Sequence, residues 1–442
     1  MNSTQETTSP EPHELKRKDS GVGGRDVDHQ NFGNPIDNKR PATREEWQSA
    51  VDFLKTKLSK VASLKALVEL DLTGDNPHIF VDARRDTPKI SESCPEDGQP
   101  HVKLRMRPLT MLHFGDGLMD TRYAVHFNQI QSTGDARLGT KFADLLSPVQ
   151  PKSPPDLSSY DRLPVPTTNI DQVKRDLREF GYGFVKDALN PDQLAALQKR
   201  LKDQADGEVA AGVSYFDGGP KKPNQRIWNL PNKGQEFLDL LDHPLVEEFI
   251  PDFLGDGYHL SSYSANINRP GSKGMGMHTD QITINPAIPQ FPLGLNLMWF
   301  LTDVNEENGG TRILPKSHNG LVAPDNMFDI AGTTFASGPA GTCLVFESRL
   351  WHATGPNVAK EGERPVILQF YVRHFVRPQE NFTLSVAPEV EPKLSDAAKQ
   401  AMGFRVTATL GGVEGFRPDG TLVQRPENPV VALKSDGSKL QG

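Results

Sequence analysis

Residues 274–286 read GMGMHTDQITINP, with His278 and Asp280 two positions apart in a segment of alternating apolar residues. On a strand, residues i and i+2 point to the same side, so both side chains can reach one ion. They can equally be an ordinary polar spot, since a chain with 12 histidines will hold a His-x-Asp triplet by chance. A third ligand decides between the two readings. His352, in RLWHATGPN, supplies it and completes a two-histidine, one-carboxylate face with open positions, the pattern that suits non-haem Fe(II). Arg364 follows at the head of the strongly β segment RPVILQFYV. A guanidinium buried there needs a carboxylate, which it grips through a two-pronged fork, and a dicarboxylate co-substrate would provide one. His318 is nearer in sequence, but it sits in the turn KSHNG with no arginine following on a strand, and it reads as structural. His374, in VRHF beside charges, reads as a rim residue.

Around these residues the chain is β-rich. YHLSSYSANIN, MHTDQITIN, LGLNLMWFLTDV, GTCLVFES and RPVILQFYVRHF are short strand-type runs broken by Gly, Pro and Asn, without interleaved helices. That pattern points to a jelly-roll or a sandwich, and the expectation is an all-β double-stranded β-helix (jelly-roll) domain over 167–380, with flanking helices at NIDQVKRDLREF and NPDQLAALQKRLKDQADG. Upstream, Thr43 with Glu46 forms a capping box, and Trp47, Val51, Leu54, Leu58 and Val61 fall on one helical face. ALVELDL and HIFVDARR read as a hairpin, HVKLRMRP as a third strand, and YAVHFNQIQSTGDARLGTKFADLL as strand, turn and helix. These predict an α+β domain over 43–147. The segment between, 148–166, holds six prolines and reads as an extended linker, so cutting near Pro154 should leave a C-terminal fragment that still turns over co-substrate. The alternative is that residues 45–147 pack on the jelly-roll and complete its core or its dimer, in which case the fragment is insoluble or loses iron. Residues 1–42, with the basic run Lys16-Arg17-Lys18, read as a disordered tail, and 381–442 as a weakly patterned extension, a loose tail.

MHTDQ, WFLTDVNEENGGTRILPKSHNG, GTCLVFESRLWHATGPN and ERPVILQFYV together resemble the phytanoyl-CoA dioxygenase family of Fe(II)- and 2-oxoglutarate-dependent oxygenases. The resemblance implies iron on His278, Asp280 and His352, with the far carboxylate of 2-oxoglutarate on Arg364 and O2 as the second co-substrate. It places Thr311 where the family touches 2-oxoglutarate and Thr354 where a hydroxyl helps the arginine. It gives the histidine equivalent to His318 no ligand role. Trp299 would lie on the strand lining that pocket, where it reads equally as core. The carboxylate at Asp280 implies oxygenation, because halogenases of this chemistry lack it. Residues about 45–147 resemble the sterol carrier protein 2 type of lipid-binding domain, best in FNQIQSTGDARLGTKFADLL.

Bulk properties agree with a small-molecule enzyme. The 442 residues carry a formal charge of -8, which argues against a nucleic-acid surface. No apolar run approaches the ~20 residues of a membrane span, and MNSTQETTSPEP is no signal peptide. Two distant cysteines, Cys94 and Cys343, fit a reducing compartment. The expectation is a cytoplasmic protein acting on a lipid-like small molecule, without stable membrane insertion. Ser438-Lys439-Leu440 has the letters of a peroxisomal address, but that address is read only at the terminus, and Gln441 and Gly442 follow. Two rival readings remain at this stage. One is a non-catalytic lipid-binding or transfer protein, which would have no need of all four site residues. The other is a cupin-type metal isomerase, or a dioxygenase needing no co-substrate, which would leave Arg364 without a carboxylate.

Overall fold

A computed structural model describes residues 36, 40–149, 151–285, 288, 290–319, 322–324, 327–407 and 409–412. The predicted tail with its basic run, and the Ser-Lys-Leu triplet, lie outside them.

The N-terminal unit runs α1 (Arg44–Val61), β1 (Leu67–Asp71), β2 (Ile79–Asp82), β3 (Lys89–Ser91), β4 (Val102–Met106), α2 (Pro108–Gly115), α3 (Thr121–His126), β5 (Ile130–Gly134) and α4 (Ala136–Leu146). The Thr43–Glu46 capping box is formed, and α1 buries Trp47, Ala50, Val51, Leu54 and Val61. β1 and β2 pair antiparallel as a hairpin should, while β4 joins β1 in parallel, within a sheet ordered β3-β2-β1-β4-β5. One expectation fails: Tyr123–His126 are helical, not a strand. Asp120 accepts from the amides of Arg122 and Tyr123, and this cap fixes the turn where four residues of mixed polarity carry no period.

The C-terminal unit runs α5 (Ile170–Phe180), β6 (Tyr182–Val185), α6 (Pro191–Ala210), β7 (Tyr215–Asp217), β8 (Asn224–Ile227), α7 (Gln235–Leu241), α8 (Pro244–Leu254), β9 (His259–Asn268), β10 (Gly294–Phe300), β11 (Arg312–Ile313), β12 (Thr334–Phe335), β13 (Cys343–Glu347), β14 (His352–Ala353), β15 (Arg364–Val372), α9 (Phe382–Ser385) and α10 (Asp396–Ala401). Seven strands form one antiparallel sheet, β6-β13-β10-β15-β9-β8-β7, and β12-β11-β14 form a smaller one.

β10 explains the layering. All seven of its residues are buried, but alternate ones face different cores. Leu295, Leu297 and Trp299 pack under α5 to α8. Met298 and Phe300 face Ile313 of the small sheet, with Phe346 of β13 and Val366 of β15. The large sheet therefore has helices on one face and the small sheet on the other.

Two further expectations change. The extension after Asn381 is not loose over 382–404, because Phe382, Leu394, Ala398, Met402 and Phe404 are buried in the helix-side core. Its apolar residues are spaced for two short helices, too brief to show a period. The Pro-rich segment is not a free spacer either. Lys152 bridges to Val322, the Tyr160 hydroxyl donates to the Pro315 carbonyl at 3.1 Å, and Leu163 packs on the core between the sheets.

Candidate metal centre

His278 lies in an isolated antiparallel bridge opposite His352, each amide donating to the other's carbonyl at 2.9 Å. Residues directly opposite in such a pair share a face, so both imidazoles project to the same side. The expected strand ends there: Asp280 opens a 3-10 turn (Asp280–Thr283) that still carries its carboxylate to the histidines. Ligand atoms of His278, Asp280 and His352 all lie within 4.8 Å of one another. The Nε2 atoms of His278 and His352 stand 3.9 and 3.7 Å from Asp280 Oδ1.

The second contacts of each side chain fit a divalent metal. His278 Nδ1 faces the Gly276 carbonyl at 3.0 Å and His352 Nδ1 the Leu350 carbonyl at 2.9 Å. Both Nδ1 atoms therefore carry the proton, and both Nε2 lone pairs face the shared point, as metal-binding imidazoles require. Burial, reinforced by His352 alongside, pushes the His278 imidazole down to about 4, so it stays neutral and able to bind a metal. Asp280 Oδ2 accepts from Asn296 Nδ2 at 2.6 Å, which leaves Oδ1 for the ion.

Arg364 is 1% exposed at the start of β15. Its Nη2 donates to the Gly309 carbonyl at 2.7 Å, while its Nε is buried without a partner. Burial, then the nearby Arg226, lowers its pKa to about 10, so the group is still a cation at neutral pH. Among the described residues no carboxylate pairs with it. A buried cation with an orphaned donor calls for an anion from outside the chain, and the carboxylate of 2-oxoglutarate fits that demand. Asn268, paired with Arg364 across β9–β15, donates to the Gly355 carbonyl at 3.2 Å and has a buried, unpartnered Oδ1.

Thr311 is buried beside Met298, its Oγ1 3.5 Å from the sulfur, and Thr354 is half-buried with its carbonyl accepting from Met275 N–H. His318 stands apart, its Nε2–H donating to the Arg178 carbonyl at 3.1 Å. His374 is half-buried against Phe375. Trp299 faces the helices, not the site, and donates from Nε1 to Gln369 Oε1 at 2.9 Å. Sequence reasoning missed Asn296 and Asn268. The signal for Asn296 was its position as the one polar residue of the apolar run GLNLMWF.

Comparison with known proteins adds the class. Residues 177–366 match the model of the phytanoyl-CoA dioxygenase (PhyH) family, and residues 50–147 that of the SCP-2 sterol transfer family. Dioxygenase af480 of Aspergillus fumigatus is 29% identical over 54% of this chain and 78% of its own. Multifunctional dioxygenase ausE of Penicillium brasilianum is 24% identical over 58% of this chain and 88% of its own. The crystal structure of AviO1 from Streptomyces viridochromogenes Tue57 is 20% identical and covers 48% of this chain and 99% of its own, with a TM-score of 0.40. The protein is an enzyme of the 2-oxoglutarate-dependent non-haem iron dioxygenase class, working with Fe(II), 2-oxoglutarate and O2. Its residues 177–366 are a phytanoyl-CoA dioxygenase family domain, fused to an SCP-2 sterol transfer family domain at 50–147.

Proposed function

We propose that the protein oxidises a C–H bond of a lipid-like, acyl-CoA or terpenoid-type small molecule, most simply by hydroxylation. His278, Asp280 and His352 hold Fe(II), Arg364 holds the far carboxylate of 2-oxoglutarate, and Thr311 and Thr354 line that end of the site. Bound iron supplies the activation of O2, coupled to conversion of 2-oxoglutarate to succinate and CO2, that C–H oxidation needs. The chain's own part is positional. The Gly276 and Leu350 carbonyls hold both imidazoles in the ligating tautomer. Asn296 holds Asp280 in one rotamer with a single oxygen turned to the ion. Burial of Arg364 keeps water from competing with a bound carboxylate, which strengthens the charge pair.

The buried, half-satisfied Arg364 behind an intact donor triad is the observation that carries this reading. It also counts against a binding-only lipid carrier, which has no use for such a cation. The SCP-2 match supports a lipid-like substrate. The test is incubation of the full chain with Fe(II), 2-oxoglutarate and air in lipid and metabolite extracts, followed by mass spectrometry. A product heavier by one oxygen atom, formed in step with succinate and lost in Arg364→Ala, is expected. Succinate formation with no oxidised lipid-like product would overturn the substrate class.

A further inference from the structure

The segments that carry the two histidines have a second face. Met277, Trp351 and Ala353 project to the side away from the triad and cluster there with Leu314 and Ala323. The N-terminal unit meets this face. Asn285 Oδ1 accepts from the Asp120 amide at 3.0 Å, and Asn285 Nδ2 donates to the Leu118 carbonyl at 2.9 Å. Beside this contact lies a cavity of about 390 Å³ between the two units, walled by Met119 of the N-terminal unit and by Ile282, Ile284, Val322 and Trp351 of the other. Thr279, which separates His278 from Asp280, also lines it, so one thickness of backbone divides the cavity from the triad. Its size falls within the roughly 300–1,000 Å³ of small-molecule sites.

Charge indicates what it takes. Arg122 is held by Asp144 through contacts of 2.6 and 3.0 Å, and Arg349 by Glu347 through 2.6 and 2.9 Å. Asp120 accepts from the amides at the start of α3. Each of these charged groups in the wall is matched by a protein partner, so a phosphate or carboxylate would find no unmatched cation. The rest of the wall mixes apolar side chains with the polar Thr121, Ser147, Thr279, Gln281, Gln290, Ser317 and His318. We propose that this cavity is a second binding site, for a neutral, hydrocarbon-rich molecule with a few hydroxyl or carbonyl groups, seated back to back with the metal triad. It is built from both domains, and the occupant rests on the segment that presents His278 and Asp280.

The test uses the full chain and two neutral fluorescent probes, dehydroergosterol and N-phenyl-1-naphthylamine. One probe per chain should bind, with energy transfer from tryptophan that falls in Trp351→Phe while anisotropy shows affinity kept. Met119→Trp and Ile288→Trp, which fill the cavity from one unit each, should each weaken binding at least tenfold, with unfolding temperatures read in parallel to separate filling from misfolding. His352→Ala should bind the probe as the wild type does, which sets this site apart from the triad whether or not the iron reading stands. Absence of saturable binding by either probe would overturn the proposal. So would loss of binding in His352→Ala, or wild-type affinity in both filled variants.

Discussion

At the head of β15 the Arg364 guanidinium has one hydrogen bond, to the Gly309 carbonyl, and an Nε with none. If 2-oxoglutarate completes that set, Arg364→Ala breaks a buried charge pair from one side, at about 3–5 kcal/mol. Its 2-oxoglutarate affinity, read by anaerobic calorimetry, should fall by about two to four orders of magnitude with iron retained. Arg364→Lys should recover only part, because a point charge does not replace the fork. Unchanged affinity in the alanine variant would remove Arg364 from the role. Asn296 is a second case. Its amide holds Asp280 Oδ2, and a hydrogen bond to a charged group contributes about 1.5–3 kcal/mol, so Asn296→Leu should bind Fe(II) roughly ten- to a hundredfold more weakly. Wild-type iron affinity would mean that Asp280 needs no such support. The residues with unusual chemistry, His278, Asp280, His352 and Arg364, were legible in the sequence because their types and order are specific. Asn268 was not, because an asparagine at a strand end is indistinguishable from a turn residue until β15 lies beside β9.

At the scale of elements, runs with a strong period were readable and short ones were not. β9, β10, β13 and β15 fall where the apolar runs lie. The HTD segment does not stay a strand: pairing stops at His278, and the chain turns so that Asp280 still reaches both imidazoles. Only the partner strand and that turn, both tertiary, reveal this. The C-terminal stretch is the other case. Phe404 is 2% exposed in the helix-side core, so Phe404→Ala should cost about 3–5 kcal/mol of stability while iron content per folded chain stays unchanged. Denaturant unfolding measures this. A loss below ~1 kcal/mol would return the stretch to a loosely held role.

For the whole molecule, composition separates two units, but the linker's proline content says nothing of what the units touch. The N-terminal unit reaches the segment that carries His278 and Asp280 through Leu118 and Asp120, and the Pro-rich stretch lies along the C-terminal unit. These contacts count against the simple expectation of separable halves. A fragment of residues 160–442 would expose Ile282, Ile284 and Trp351 and lose the partners of Asn285. It should aggregate, or bind Fe(II) at least tenfold more weakly than the full chain, as judged by sedimentation and metal analysis. A monomeric fragment with full iron affinity would show that the N-terminal unit is only appended.

The proposed chemistry depends on an iron site on His278, Asp280 and His352 that takes 2-oxoglutarate against Arg364. Anaerobic titration of Fe(II) and then 2-oxoglutarate into the full chain, followed by metal analysis and by the visible charge-transfer absorption of the chelated ion, tests it most directly. One Fe(II) per chain and an absorption band that needs 2-oxoglutarate are expected. Both should be lost in His278→Ala and His352→Ala and retained in His318→Ala. Full iron content and an unchanged band in both triad variants would contradict it.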